Sequence, residues 1–84
     1  MFNINYSKQS VKFLKKIDKA LARRIVEKIE KLRENPVLHD SKTIKGYCGL
    51  FRTRVGDYRI LYEVDYEGKI IGIIKIDKRS RAYR

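Results

Sequence analysis

The sequence predicts a small α+β domain: an N-terminal strand, an antiparallel two-helix hairpin, then a mainly antiparallel sheet of three further strands (β-α-α-β-β-β). Three observations carry this. Apolar residues recur at helical spacing between Val11 and Leu32. Strand-like alternation and apolar runs fill Leu50 to Ile76, with turns signalled at Gly56-Asp57 and Glu67-Gly68. A length of 84 residues accommodates one domain, 1–84, around one modest core.

Phe2-Asn3-Ile4-Asn5-Tyr6 alternates and reads as the first strand. Ser7 is placed to cap the helix that follows, because its hydroxyl can accept from free amides of the first turn. Val11, Leu14 and Ile17 recur on that helix with Phe13 beside them, and Lys8, Lys12, Lys15, Lys16 and Lys19 form its solvated side. Asp18 is the expected cap of a second helix, whose Leu21, Ile25, Ile29 and Leu32 make an amphipathic stripe broadened by Val26. Asn35-Pro36 ends it, since the residue before proline is pushed out of the helical region. A connector from Val37 to Gly49 carries some extended structure around Thr43-Ile44-Lys45. Leu50–Val55, Asp57–Val64 and Ile70–Ile76 are then the strands. The nearly continuous apolar run Ile70-Ile71-Gly72-Ile73-Ile74 is expected to be a central strand covered on both faces, with Gly72 admitting a helix closely.

Hydrophobic residues make up 43% and charged residues 37%, enough apolar material to set the chain apart from a disordered basic tail. Lys and Arg number 21 against 10 Asp and Glu, a formal charge of +11. Such an excess steers a protein toward polyanions or an acidic partner, and the bland alternative is a merely solubilising surface. The single Cys48 excludes an intramolecular disulfide and fits a reducing compartment. With one histidine, His39, and no base nearby, Cys48 reads as a turn residue rather than a nucleophile. No apolar run approaches membrane-spanning length and no signal peptide precedes Met1-Phe2-Asn3, so the expected location is the cytoplasm. One His, one Cys and scattered carboxylates offer no metal cluster, and no glycine-rich phosphate loop precedes a helix, so no cofactor is expected.

The arginines remain. Side chains alternate across a strand, which puts Arg52 and Arg54 on one face and Phe51, Thr53 and Val55 on the other. Arg59 lies on the next strand and Arg79 follows the last, so all four can converge on one side. Converging cations repel one another, and a ligand that supplies negative charge relieves the repulsion. Guanidinium groups match phosphate through paired N–H donors. The alternative for each is an exposed ion pair, such as Arg59 with Asp57 or Glu63, which contributes little stability.

Arg52-Thr53-Arg54, then Gly56-Asp57-Tyr58-Arg59-Ile60-Leu61-Tyr62, then Lys78-Arg79 with Tyr83, resembles the RelE/ParE superfamily of toxins from toxin–antitoxin pairs. The resemblance covers essentially the whole chain, including the helical hairpin, its terminal proline and the Lys45-Gly46 step before the second predicted strand. It implies a RelE-like mRNA endonuclease, acting in the ribosomal A site without a metal. The 2′-hydroxyl of the substrate attacks the neighbouring phosphate, leaving a cyclic phosphate and a 5′-hydroxyl.

Carried over residue by residue, the resemblance gives Arg59 the phosphate, Arg79 the leaving group and Tyr83 a stacking role. Arg52 and Arg54 bind RNA and assist the attack, and Lys78 and Arg81 add RNA-binding charge. Well-known RelE proteins have lysines at the positions of Arg52 and Arg54. Arginine stays protonated to a pH of about 12, so Arg54 is a poor general base. That leaves proton transfer through water or RNA, or through Glu63, which shares a strand face with Arg59 by alternation. The implied partners are a RelB-like antitoxin, in a heterodimer or heterotetramer, and the ribosome with its mRNA; no membrane is implied. Alternatives are a ParE-like poison of a DNA topoisomerase (gyrase) and a non-catalytic RNA- or ribosome-binding module.

Overall fold

Tyr62, fully buried on the middle strand of a five-stranded sheet, marks the centre of the molecule. The computed structural model describes residues 1–37, 42–43 and 49–78. The elements are β1 (Asn3–Tyr6), α1 (Lys8–Lys16), α2 (Lys19–Lys31), β2 (Lys42–Thr43), β3 (Leu50–Val55), β4 (Tyr58–Asp65) and β5 (Ile70–Lys78). The expected order holds, with a two-residue strand, β2, added where the connector was read as partly extended. The sheet order is β1-β5-β4-β3-β2, with β1 parallel to β5 and the other neighbours antiparallel.

Both helix starts follow from the residue before them. Ser7 is extended, and its Oγ accepts from the Ser10 amide at 3.1 Å. Asp18 Oδ2 accepts from the amides of Ala20 at 3.0 Å and Leu21 at 3.3 Å. Each cap satisfies amides that have no partner inside the helix. Lys15 and Lys16 in the last turn of α1, and Lys28 and Lys31 in that of α2, sit where the helix dipole favours cations.

The helices cover one face of the sheet. Ile25, Ile29 and Leu32 are fully buried against Phe51, Val55, Ile60, Tyr62, Val64, Ile71, Ile73 and Ile76. Each such side chain contributes about 1.5–3 kcal/mol on burial. The end of α2 is tied to the start of β1: the Phe2 amide donates to Arg33 O at 3.0 Å, and Arg33 Nη1 donates to Phe2 O at 3.1 Å. Tyr62 Oη donates to Pro36 O at 2.6 Å, joining the middle of the sheet to the segment after α2.

Three expectations are corrected. Val11 is 37% exposed, and the position α1 buries completely is Ser10, whose hydroxyl donates to Ser7 O at 2.9 Å. A serine can sit at the core margin because the cap satisfies it. β5 is interior but neither central nor doubly covered: β4 is the middle strand, and Ile70 and Ile74 remain 36% and 37% exposed on the face opposite the helices. Gly72 meets no helix. It pairs with Glu63 across the strands, and a Cβ there would lie 3.3 Å from Glu63 Cγ.

β5 carries a bulge. Leu61 pairs with Lys75 but Tyr62 pairs with Ile73, so Ile74 is the extra residue. β1 stops at the same level, with Tyr6 opposite Ile73. Side chains of the β1–α1 junction take over the exposed edge of β5. Ser7 Oγ donates to Ile74 O at 2.7 Å, Gln9 Nε2 donates to Ile76 O at 2.9 Å, and Gln9 Oε1 accepts from the Ile76 amide at 3.0 Å. The Gln9 carboxamide thus imitates one more residue of a strand beside β5.

Candidate nucleic-acid interface

The face of the sheet that α1 and α2 leave uncovered is where the arginines lie. Alternation on β3 points Phe51, Thr53 and Val55 into the core and leaves Arg52 half-buried and Arg54 exposed on the other face. On β4, Ile60, Tyr62 and Val64 point inward, with Arg59, Leu61 and Glu63 outward. The register completes the face: Arg54 stands directly opposite Arg59, Arg59 opposite Asp77, and Arg52 opposite Leu61, whose other neighbour is Lys75. Lys75 Nζ approaches Asp77 Oδ2 at 3.3 Å.

Like charges directly opposite each other across two strands destabilise a sheet. Asp77, next in the row, offsets part of that repulsion between Arg54 and Arg59. What remains is a strip of three arginines and a lysine, with Asp77 in the row of Arg54 and Arg59 and Glu63 further along the same face. Such a strip can hold phosphodiester oxygens through several charge-assisted N–H donors at once.

The sequence reading therefore brings Arg52, Arg54 and Arg59 together on one face. Lys78 pairs with Tyr58, whose ring packs edge-on against Phe13 at 5.7 Å, so alternation puts Lys78 on the helix side of the sheet. Glu63 does share the face of Arg59, but four residues of strand separate them, roughly 13 Å. Its cross-strand neighbours are Leu50 and Gly72, and Arg52 is diagonal to it. Proton transfer at a phosphate held by Arg54 and Arg59 is out of its reach. Arg79, Arg81 and Tyr83 lie outside the described residues, as do His39 and Cys48. Sequence reasoning missed Asp77, the carboxylate opposite Arg59. Its signal was the Lys75-Ile76-Asp77 alternation leading into the basic tail.

Among the described residues, no three His, Cys, Asp or Glu side chains gather as a metal site, and no helix is long and apolar enough to cross a membrane.

Comparison with known proteins agrees with this architecture. The model of a family described as ParE toxin of type II toxin–antitoxin system, parDE, matches residues 4–83. Toxin RelE1 of Methanocaldococcus jannaschii, so named on a provisional basis, is 35% identical over 99% of this chain and 96% of its own length. A chain of the archaeal RelE–RelB complex from Pyrococcus horikoshii superposes with a TM-score of 0.85 at 35% identity, covering 95% of this chain and 97% of that one. The isolated RelE toxin of Escherichia coli shares the fold at a TM-score of 0.82 and 18% identity, covering 99% of this chain and 92% of that one. With the helical hairpin, the sheet and the family match all in agreement, the chain belongs to the RelE/ParE family of type II toxin–antitoxin toxins.

Proposed function

We propose that the open face is the cutting site of a ribosome-dependent mRNA endonuclease. The observation that carries this is the cross-strand pair Arg54–Arg59 on the face opposite the helices, with Arg52 beside it. A phosphate seated between the two guanidinium groups relieves their repulsion and gains paired donors. In the reaction, the 2′-hydroxyl loses its proton and its oxygen bonds to phosphorus. The bond to the 5′-oxygen breaks, and that oxygen takes up a proton. Arg59 stabilises charge on the phosphate, Arg79 serves the leaving oxygen, and Tyr83 stacks on a base. Arg52 and Arg54 hold the strand, and Lys78 and Arg81 add attraction for RNA. A guanidinium is a poor proton acceptor and Glu63 is distant along the strand, so the 2′-proton leaves through water. The chain itself needs no metal for these steps.

A RelB-like antitoxin is the proposed partner, in a heterodimer or heterotetramer in the cytoplasm. The complexes from P. horikoshii and Methanococcus jannaschii, in which RelE is paired with RelB at 35% and 34% identity to this chain, support it.

The test is cleavage of an mRNA held on a programmed ribosome, mapped to the nucleotide. Arg59→Ala should lower single-turnover cleavage about 10²–10³-fold, the usual loss when one preorganised charge donor is removed. Undiminished cutting by Arg59→Ala would refute the site. The match to a ParE family model favours a second reading, topoisomerase poisoning. A supercoiling assay with the same protein separates the two: inhibition of gyrase without mRNA cleavage selects it.

A further inference from the structure

The arginine face does not stop at the edge of the sheet. An open groove of about 350 Å³ lies between α2 and the end of β3, lined by Arg24, Glu27, Lys28, Lys31, Arg54, Val55 and Gly56. Four cations from two elements face it against one carboxylate. Arg54 belongs both to this groove and to the pair with Arg59. The groove is thus continuous with the proposed cutting face, passing from the open side of the sheet around the β3–β4 turn to the flank of α2. Gly56, the first residue of that turn, adopts a φ of +57° and has only open space where a Cβ would stand. A chain crossing there meets backbone alone.

We infer that this groove is a second phosphate-binding subsite, taking the backbone of the same RNA strand where it leaves the cutting face. The inference rests on the endonuclease reading. The groove holds no apolar pocket for a base and no carboxylate array for a cation. Its chemistry is that of scattered ammonium and guanidinium donors, which suits phosphates and carries no base preference. Arg24 and Lys31 are both exposed on α2, so they can be neutralised without disturbing the buried stripe of Ile25, Ile29 and Leu32.

The experiment measures binding of the whole chain to non-cleavable 2′-O-methyl RNA, a trinucleotide and a longer single strand, across a salt series. Arg24→Gln with Lys31→Gln is compared with Lys12→Gln with Lys16→Gln, two exposed lysines of α1 that do not line the groove but remove the same charge. Each phosphate contact adds about 0.7 to the slope of log affinity against log salt for single strands. The groove variant should lose about 1.4 in slope and about 25-fold in affinity for the longer strand at ~0.1 M salt, keeping trinucleotide binding. The α1 variant should change the slope little. Equal losses in both variants would mean a diffuse field rather than a subsite and would overturn the inference. So would unchanged RNA binding with weakened antitoxin binding, which would assign the groove to an acidic protein segment. If the unaltered protein binds neither RNA in solution, the groove holds no strand by itself and the inference is overturned, while the endonuclease reading is still decided separately by cleavage on the programmed ribosome.

Discussion

Gln9→Ala tests whether the last third of β5 is held by a side chain rather than by a strand. The substitution removes two hydrogen bonds, at 2.9 and 3.0 Å, to the carbonyl and amide of Ile76. The freed groups belong to Ile76, and removing the exposed Gln9 side chain that covers them opens this edge of β5 to water, so each bond counts at its net value of about 1 kcal/mol. Alanine returns about 0.3 kcal/mol through higher helix propensity in α1. The balance is a loss of about 1.7 kcal/mol, or roughly 7–14 °C in melting temperature for a domain of this size. Thermal unfolding followed by circular dichroism measures it. Hydrogen exchange at the Ile76 amide localises it, because that proton should become less protected while Ile60 and Tyr62 keep their protection. A variant that melts within about 2 °C of the parent, with Ile76 still protected, would refute the account. Asp77 follows Ile76 and stands opposite Arg59, so the same lesion loosens one wall of the proposed cutting face.

Ile25→Ala should cost about 2–5 kcal/mol in urea unfolding, because Ile25 is fully buried at the centre of the α2 stripe. Burial pushes the Tyr6 phenol above its ordinary value of 10.0, with Glu30 adding to the rise and Arg33 opposing it. The unfolded chain therefore gives up this proton first. Its contribution is whole below pH 10 and is lost as the pH climbs past that value, so Tyr6→Phe should flatten the alkaline fall in stability. Gly56→Ala meets no neighbouring atom, so its cost is the left-handed backbone alone, about 1–2 kcal/mol in the same unfolding assay.

The sequence revealed those parts of the fold that depend on local rules. Alternation separated Arg52 and Arg54 from Phe51, Thr53 and Val55, and the caps at Ser7 and Asp18 followed from hydroxyl and carboxylate chemistry. It was silent where partners are distant. Ser7 and Gln9 bond to residues 67 positions away, and no periodicity records such a bond. Apolar spacing puts Val11 on the buried stripe because it cannot see that Ser10 is satisfied by its own cap. The Ile70–Ile74 run resembled a doubly covered strand, yet its exposed isoleucines share the open face with the arginine strip. Alternation gives Glu63 the face of Arg59, but their separation follows only from a count along the strand. The α2 groove joins positions 24 and 54 and has no signature in either segment.

The parallel pairing of β1 with β5 has a consequence for synthesis. β1 is the first strand to be made, and among the described residues its only strand partner is the last. A chain that stops short of Ile70 has an N-terminal strand without a neighbour, a first helix whose Ser7 and Gln9 have nothing to grip, and an Arg59 without Asp77 opposite it. Contacts this far apart in sequence close late in folding. Truncated products and growing chains thus lack Lys75 and Asp77 beside the arginines and the strand that joins β1 to the rest of the sheet, so the sheet closes only in polypeptides that have been read through to β5.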